Sequence, residues 1–380
     1  MKRAYIRGAA GTAFGRLEGQ GALALMAQAA TGALASADLD RAQVDGVLCG
    51  YATTLPHLML STLFCERFAL RPDYAHSVQL GGATGAAMLM LAGDLVRAGR
   101  CRNVLVVAGE NRLSGQSRDT SVQTLAQVGD AYAEVPNGAS IPAYYALMAS
   151  RYLHQVGITE QDLAEFAVLM RTHASRHEGA HLRSPITCAD VLASKPVAAP
   201  LKLLDCCPIS DGAMALVVSA QAGPHGPVAI RGAGQAHLHQ HVTALDDVLD
   251  TGAARSARRA FAEAGLAQAD IDYLAIYDSF TITLTMLLEE TGFAARGQAA
   301  AQLRAGAFGR DGPTPLNTHG GLLSFGHSGV AGGMAHAVEA WLQLSGQAGG
   351  RQLAKTPRNA FVHGDGGVLS SHVSLILSRE

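Results

Sequence analysis

The feature that most limits how this chain can fold is a weak internal repeat. The opening segment AYIRGAAG (Ala4 to Gly11) returns as VAIRGAG (Val228 to Gly234), with Ile6 matched to Ile230. LDRAQVDGVLCGY (Leu39 to Tyr51) returns as LAQADIDYLAIYD (Leu266 to Asp278), and RNVLVVAGE (Arg102 to Glu110) as RNAFVHGDG (Arg358 to Gly366). Chance could produce one such echo. Three in the same order argue for two related halves, residues 1–220 and 226–380. Each half reads as strand, amphipathic helix, strand, glycine-rich turn, helix, strand, the alternation of layered α/β architecture.

In both halves a glycine-rich turn leads into a run with little polar interruption: AAMLMLAGDLV after Gly85 and VAGGMAHAVEAWLQL after Gly329. Helices apolar on most faces belong inside a molecule, here between sheets. Only their first turns, with free backbone N–H groups and the positive end of the helix dipole, are candidates for chemistry. A chain of 380 residues, 48% hydrophobic, can fill such a multilayer interior. A formal charge of -2 without a long basic run points away from nucleic acid and toward a small molecule. The N-terminal MKRAYIRGAAGTAFGR has no apolar signal core and no long uncharged apolar stretch follows, so no membrane span and a cytoplasmic location are expected. The six cysteines lack paired or zinc-like spacing, which fits reduced thiols.

Candidate chemistry concentrates in NTHGGLLSFGHSGVAGG, residues 317 to 333, where His319 and His327 stand among glycines ahead of the second apolar helix. Imidazoles titrate near working pH and suit proton transfer. His173, His177 and His181 have i, i+4, i+8 spacing, but without a carboxylate pattern such as HExxH they read as a solvated helix face, and no metal site is expected. Cys206 and Cys207 read as buried thiols.

The phrases PLKLLDCCPISDGAMALVV, YDSFT, NTHGGLLSFGHSG and VHGDGGVLSSHVSLIL together resemble the sterol-carrier-protein-X branch of the thiolase superfamily, over nearly the whole chain. The resemblance implies a duplicated thiolase fold: an α/β protein in five layers, α-β-α-β-α, with two sheets around central helices. It also implies a loop domain inserted at about 111–205 and a homodimer. The activity implied is making or breaking a carbon–carbon bond next to a coenzyme A thioester. Coenzyme A would then arrive as part of an acyl-CoA substrate, entering past the cations of the loop region, and no permanently bound cofactor is expected.

Thiolases carry the acyl group on a cysteine at the start of the first central helix, where the helix end lowers the thiol pKa. The corresponding segment here is SVQLGGATGAAML, and matching its ATG to the family pattern puts Gly82 in the cysteine's place. A glycine cannot form an acyl-enzyme. His327 matches the histidine of the family's GH turn, whose role is to stabilise an enolate. His363 stands where many thiolases have a second, proton-moving cysteine. Asp278 matches an acidic or amide position that orients a water or a histidine. Tyr277, beside it, could donate to an oxyanion or exchange a proton with a hydroxyl, although neighbours on a strand alternate faces. Gly82, His319 and Gly329 are expected to line the substrate. Aldol or retro-aldol chemistry on an acyl-CoA needs no acyl-cysteine and is the expected reaction. Members of this branch that act on steroid side chains are aldolases working with a small OB-fold partner protein, and the resemblance extends that partner here. Two other readings stay open: a conventional acetyl-CoA acyltransferase with a displaced nucleophile, and a non-catalytic acyl-CoA-binding subunit of a heteromeric complex.

Overall fold

The computed structural model describes residues 3–138 and 140–380, apart from the side chain at position 118. Its strands are β1 (Tyr5–Gly11), β2 (Gly46–Gly50), β3 (Tyr74–Val78), β4 (Asn103–Asn111), β5 (Pro196–Ala198), β6 (Leu201–Lys202), β7 (Asp211–Ser219), β8 (Val228–His237), β9 (Tyr273–Ile276), β10 (Asn359–Gly366) and β11 (Ser371–Arg379). Nine of them join in the order β3-β2-β4-β7-β1-β8-β11-β10-β9, while β5 and β6 form a separate small hairpin. The three sequence echoes fall on matching strands or just before them: β1 with β8, β2 with β9, β4 with β10. Outward from the middle, β1-β7-β4-β2 on one side is answered by β8-β11-β10-β9 on the other. The seam between the two sets is slender, one residue pair, Tyr5 with Ala229, plus a 2.9 Å bond from Ile230 N to Ala4 O.

The two sets of strands enclose the apolar helices Thr84–Arg97 and Val330–Ser345. Val104, Val106 and Ala108 of β4 and Ala360 and Val362 of β10 join Met88, Leu89, Met334 and Trp341 of these central helices in one core. The alternate β4 residues, Leu105 and Val107, face the outer helix Ala22–Ala37. Phe361 of β10 and Ile376 of β11 face the other outer layer, helices Ala253–Ala264 and Thr281–Glu290. The result is the five-layer order α-β-α-β-α. Strands covered on both sides need no polar alternate residue, which is why VLVVAG and MALVVS read as continuous apolar runs. Four helices, Arg118–Ala126, Ile141–Val156, Glu160–Ala174 and Cys188–Ala193, lie between β4 and β7.

The expected solvated histidine face is not what forms. Helix Glu160–Ala174 ends before His177 and His181, and His173 is only 5% exposed. His177 stacks on Phe325 at 4.8 Å, and His181 Nδ1 lies 2.8 Å from Ser210 Oγ. The cause is a close crossing. Gly320 has φ +108 and lies so near Ala174 that a Cβ there would stand 2.5 Å from the alanine's own, so the loop carrying His319 covers the helix end. Among the described residues no group of three or more His, Cys, Asp or Glu is arranged to hold a metal ion, and no helix is long and apolar enough to cross a membrane.

Candidate active site

The site is assembled where the end of β9, the start of the first central helix and the loop before the second central helix meet. Tyr273 and Ala275 of β9 face the central layer, and the alternation of a strand carries Tyr277 to the same side. Its backbone N–H donates to His363 O at 3.0 Å, which keeps it in line with β10. The loop is fixed to β9 by the Asn317 amide, which donates to Ile276 O at 2.7 Å and accepts from Ile276 N at 2.9 Å. After a five-residue π turn, Gly321–Phe325, comes His327. The turn holding His327 is anchored by backbone from the other half: His327 N donates to Pro208 O at 3.1 Å and Ser210 N to His327 O at 3.0 Å. Ser328 Oγ adds bonds to Glu110 O at 2.9 Å and Gly212 O at 2.8 Å. Gly329 has φ +53 with the Glu110 carboxylate 1.9 Å from where a Cβ would stand, a place only glycine can fill.

At the centre the Tyr277 hydroxyl and His327 Nε2 lie 3.0 Å apart, their rings nearly perpendicular at 87°. Gly82 faces this pair. A Cβ on Gly82 would stand 2.2 Å from Tyr277 Oη and 2.4 Å from both Tyr277 Cζ and Asp365 O. The phenol occupies the volume into which any side chain at position 82 would project. Gly333, one turn into the second central helix, closes the other side: its Cβ would meet Gly82 O at 2.5 Å and Tyr277 Cε2 at 3.4 Å.

Burial sets the protonation of this pair. It lowers the His327 imidazole to about 3, with the Arg112 charge as the next contribution, so the ring is neutral at working pH. It also holds the Tyr277 phenol well above its ordinary range, with Cys207 and Asp365 adding to the effect. His327 Nδ1 has no partner, so the imidazole retains a free second nitrogen. A neutral phenol hydrogen-bonded to a neutral imidazole can take a proton at oxygen while passing its own to nitrogen, a relay that moves a hydroxyl proton without forming a buried phenolate.

The remaining expected residues are placed differently. Asp278 points behind the site, where its carboxylate accepts from Leu322 N at 2.7 Å, Leu323 N at 3.4 Å and His336 Nε2 at 3.0 Å. It shapes the π turn and does not reach the Tyr277–His327 pair; its neighbour His336 lies under the Tyr277 ring at 6.2 Å. His319 is buried edge-on to His336 at 4.9 Å and to Phe325 at 5.4 Å, again behind the site, and neither ring nitrogen has a partner. His363 is on the far face of β10. It stacks with Phe361 at 5.9 Å, with Nδ1 2.9 Å from Ser374 Oγ and Nε2 3.2 Å from His372 Nδ1. The β10 residue that looks toward the Gly82 turn is Gly364, whose Cβ would stand 3.2 Å from Ala83 Cα and Ala86 Cβ. A step of one residue along a strand reverses the face, and that step turns His363 away from the Gly82 turn. The geometry thus gathers Gly82, Tyr277, His327 and Gly329.

Sequence reasoning passed over Tyr51, Arg112 and the position of Cys207. Cys207 N bonds to Ser279 O at 3.0 Å, which sets this partly buried residue beside the Tyr277 segment, and burial holds its thiol well above the usual range. Burial, with the Glu110 charge, pushes the Tyr51 phenol up to about 12. Tyr51 sits in no motif that announces it, and Cys207, although it lies in PLKLLDCCPISDGAMALVV, has no spacing there that sets it beside Tyr277.

The Thiolase, N-terminal domain family model matches residues 4–222 and the Thiolase C-terminal domain-like model residues 234–379, so the chain belongs to the thiolase family. Within it, the chain is similar to an acetyl-CoA acetyltransferase of Methanothermobacter thermautotrophicus, 29% identical with 98% of this chain and 99% of that protein covered. It is also similar to the 17-hydroxy-3-oxo-4-pregnene-20-carboxyl-CoA lyase of Mycobacterium tuberculosis, 32% identical over 88% of this chain and 90% of the relative. Among solved structures, an Ltp2-ChsH2(DUF35) aldolase superposes with a TM-score of 0.87 at 29% identity, covering 100% of this chain and 98% of that one.

Proposed function

We propose that this protein is an acyl-CoA carbon–carbon lyase that works by retro-aldol chemistry, or the reverse condensation, without an acyl-cysteine. The observation that carries the reading is the Tyr277 phenol lying in the space in front of Gly82 and bonded to neutral His327. In the cleavage direction, Tyr277 Oη takes the proton of the substrate's β-hydroxyl as its own proton passes to His327 Nε2. The Cα–Cβ bond breaks, its electron pair moves onto the thioester as an enolate, and the β-carbon leaves as a ketone or aldehyde. The imidazolium, now carrying both N–H groups, returns a proton through the phenol to Cα, which restores the neutral pair. Free N–H groups at the start of the first central helix suit the enolate oxygen.

Relatives and neighbours named as a CoA lyase and an aldolase support this reaction class, and the neighbour named as a two-component assembly supports a small partner protein. The two halves 1–220 and 226–380, the insertion at about 111–205 as the coenzyme A entrance, a homodimer and a cytoplasmic location belong to the same reading. The acetyltransferase relative supports a second one, in which Cys207 beside Tyr277 acts as a displaced nucleophile. The raised thiol pKa of Cys207 weighs against it, since the thiolate is the nucleophile. Tyr277→Phe keeps the ring and removes the hydroxyl. The lyase reading expects a stable protein whose turnover of a β-hydroxyacyl-CoA falls roughly 10²- to 10⁴-fold. Full turnover by that variant, or an acyl mass on a cysteine after incubation with a β-ketoacyl-CoA, overturns it.

A further inference from the structure

The residue just past the end of β4 is an arginine that the fold buries and leaves without an ion pair. Arg112 is 7% exposed, and its Nε has no hydrogen-bond partner. None of the ion pairs among the described residues includes it. An arginine is always charged, and a buried charge without a partner is among the costlier arrangements in a protein.

Its direction follows from the strand. Val104, Val106 and Ala108 of β4 face the central layer, and the same alternation takes Glu110 and then Arg112 to that side. Glu110 reaches the turn of His327, where its carboxylate lies against Gly329. Oε2 of that carboxylate accepts from Thr53 N at 2.7 Å, Thr53 Oγ1 at 2.5 Å and Thr54 N at 3.2 Å, Oε1 is buried without a partner, and neither oxygen forms an ion pair with Arg112. Backbone bonds from Leu113 N and Ser114 N to Asp211 Oδ1, at 2.7 and 3.1 Å, fix the chain directly after Arg112. The guanidinium is therefore a rigidly based cation on the side of β4 that faces the His327 turn. Its charge contributes to the shifts of His327, Tyr277, Tyr51 and Cys207, in keeping with that side of the strand.

We infer that Arg112 is the receptor for a carboxylate on the acyl part of the substrate, so that the preferred substrates are acyl-CoA thioesters carrying a second, free acid group. This rests on the acyl-CoA reading above and narrows it. The planar fork of a guanidinium matches a carboxylate in two parallel bonds, and a carboxylate entering with the substrate supplies the counterion that the fold withholds.

The test is equilibrium binding of two acyl-CoA thioesters of the same shape, glutaryl-CoA and 5-methylhexanoyl-CoA, to the full-length wild-type protein and to Arg112→Gln. The expected result is wild-type binding of glutaryl-CoA that is tighter by about tenfold or more, the size of one charge-assisted contact. In Arg112→Gln that preference disappears while binding of 5-methylhexanoyl-CoA stays close to wild type. Free Arg112→Gln should unfold in urea at a midpoint no lower than wild type, because an unpaired charge has been removed. Equal binding of both ligands by wild type overturns the inference, as does a preference that survives in the variant or a large drop in its urea midpoint. An equal loss of both ligands in the variant also overturns it, assigning the guanidinium to the thioester oxygen or a coenzyme A phosphate. If wild type binds neither ligand, the acyl-CoA reading itself falls.

Discussion

Adding a single methyl group at position 82 tests the geometry on which the reaction depends. Gly82 is not among the residues with left-handed backbone, so alanine is conformationally acceptable there and any cost is steric. The new Cβ would stand 2.2 Å from Tyr277 Oη, 2.4 Å from Tyr277 Cζ and 2.4 Å from Asp365 O, all well inside van der Waals contact. One of these atoms is a backbone carbonyl of β10 and cannot rotate away. Overpacking of this kind costs about 2–3 kcal/mol. The tyrosine is the neighbour able to yield, and its movement lengthens the 3.0 Å bond to His327. A displacement of about 1 Å at a reacting group is worth roughly 10²-fold in rate. Gly82→Ala should therefore lower the urea midpoint and cut turnover together. Tyr277→Phe removes the closest of the three contacts, so the cost of Gly82→Ala in that background should fall by about 0.5–1 kcal/mol, a coupling readable from a double-mutant cycle. Gly82→Ala with stability within about 0.5 kcal/mol of wild type and full activity would refute the placement of the phenol.

Two further outcomes follow from the histidines. His363→Asn should lose about 1–3 kcal/mol of stability through its broken bonds to Ser374 and His372, yet change turnover only a few-fold, whereas His327→Ala should lose roughly 10²- to 10⁴-fold of turnover; comparable losses of turnover in both would place His363 in the chemistry. Burial lowers His173 to about 4 and His327 and His372 to about 3, below the unfolded value near 6.5, so below pH 6.5 protons bind the unfolded chain preferentially and stability falls with pH. At about 1.4 kcal/mol per unit for each ring, the loss between pH 6.5 and 5 is on the order of 2 kcal/mol per histidine, and a thermal midpoint that stays flat over that range would contradict the burial of these rings.

How legible this was depended on the distance over which each signal acts. The two central helices could be read because each is a continuous stretch whose apolar faces repeat locally. His363 was harder to place. VHGDGG is recognisable, but which residue faces inward depends on pairing with β9 and β11, and one step of register exchanges His363 for Gly364. The triplet His173, His177, His181 looked like a helix face because nothing local marks the end at Ala174; the loop that covers it comes from far along the chain. The fit between Gly82 and Tyr277 is likewise a tertiary fact. YDSFT and SVQLGG contain no trace of each other. Arg112 carries no signal at all, since a lone cation after a strand looks like any exposed loop residue until its surroundings are known.

The turn that bears His327 hangs on the backbone of Glu110, Pro208, Ser210 and Gly212 from the opposite half. Neither half produced alone would hold that imidazole in position. During refolding, catalytic competence should lag behind secondary structure and appear only as these segments meet, a late event because their contacts join distant parts of the chain. Recovered activity would then time that meeting without any added label.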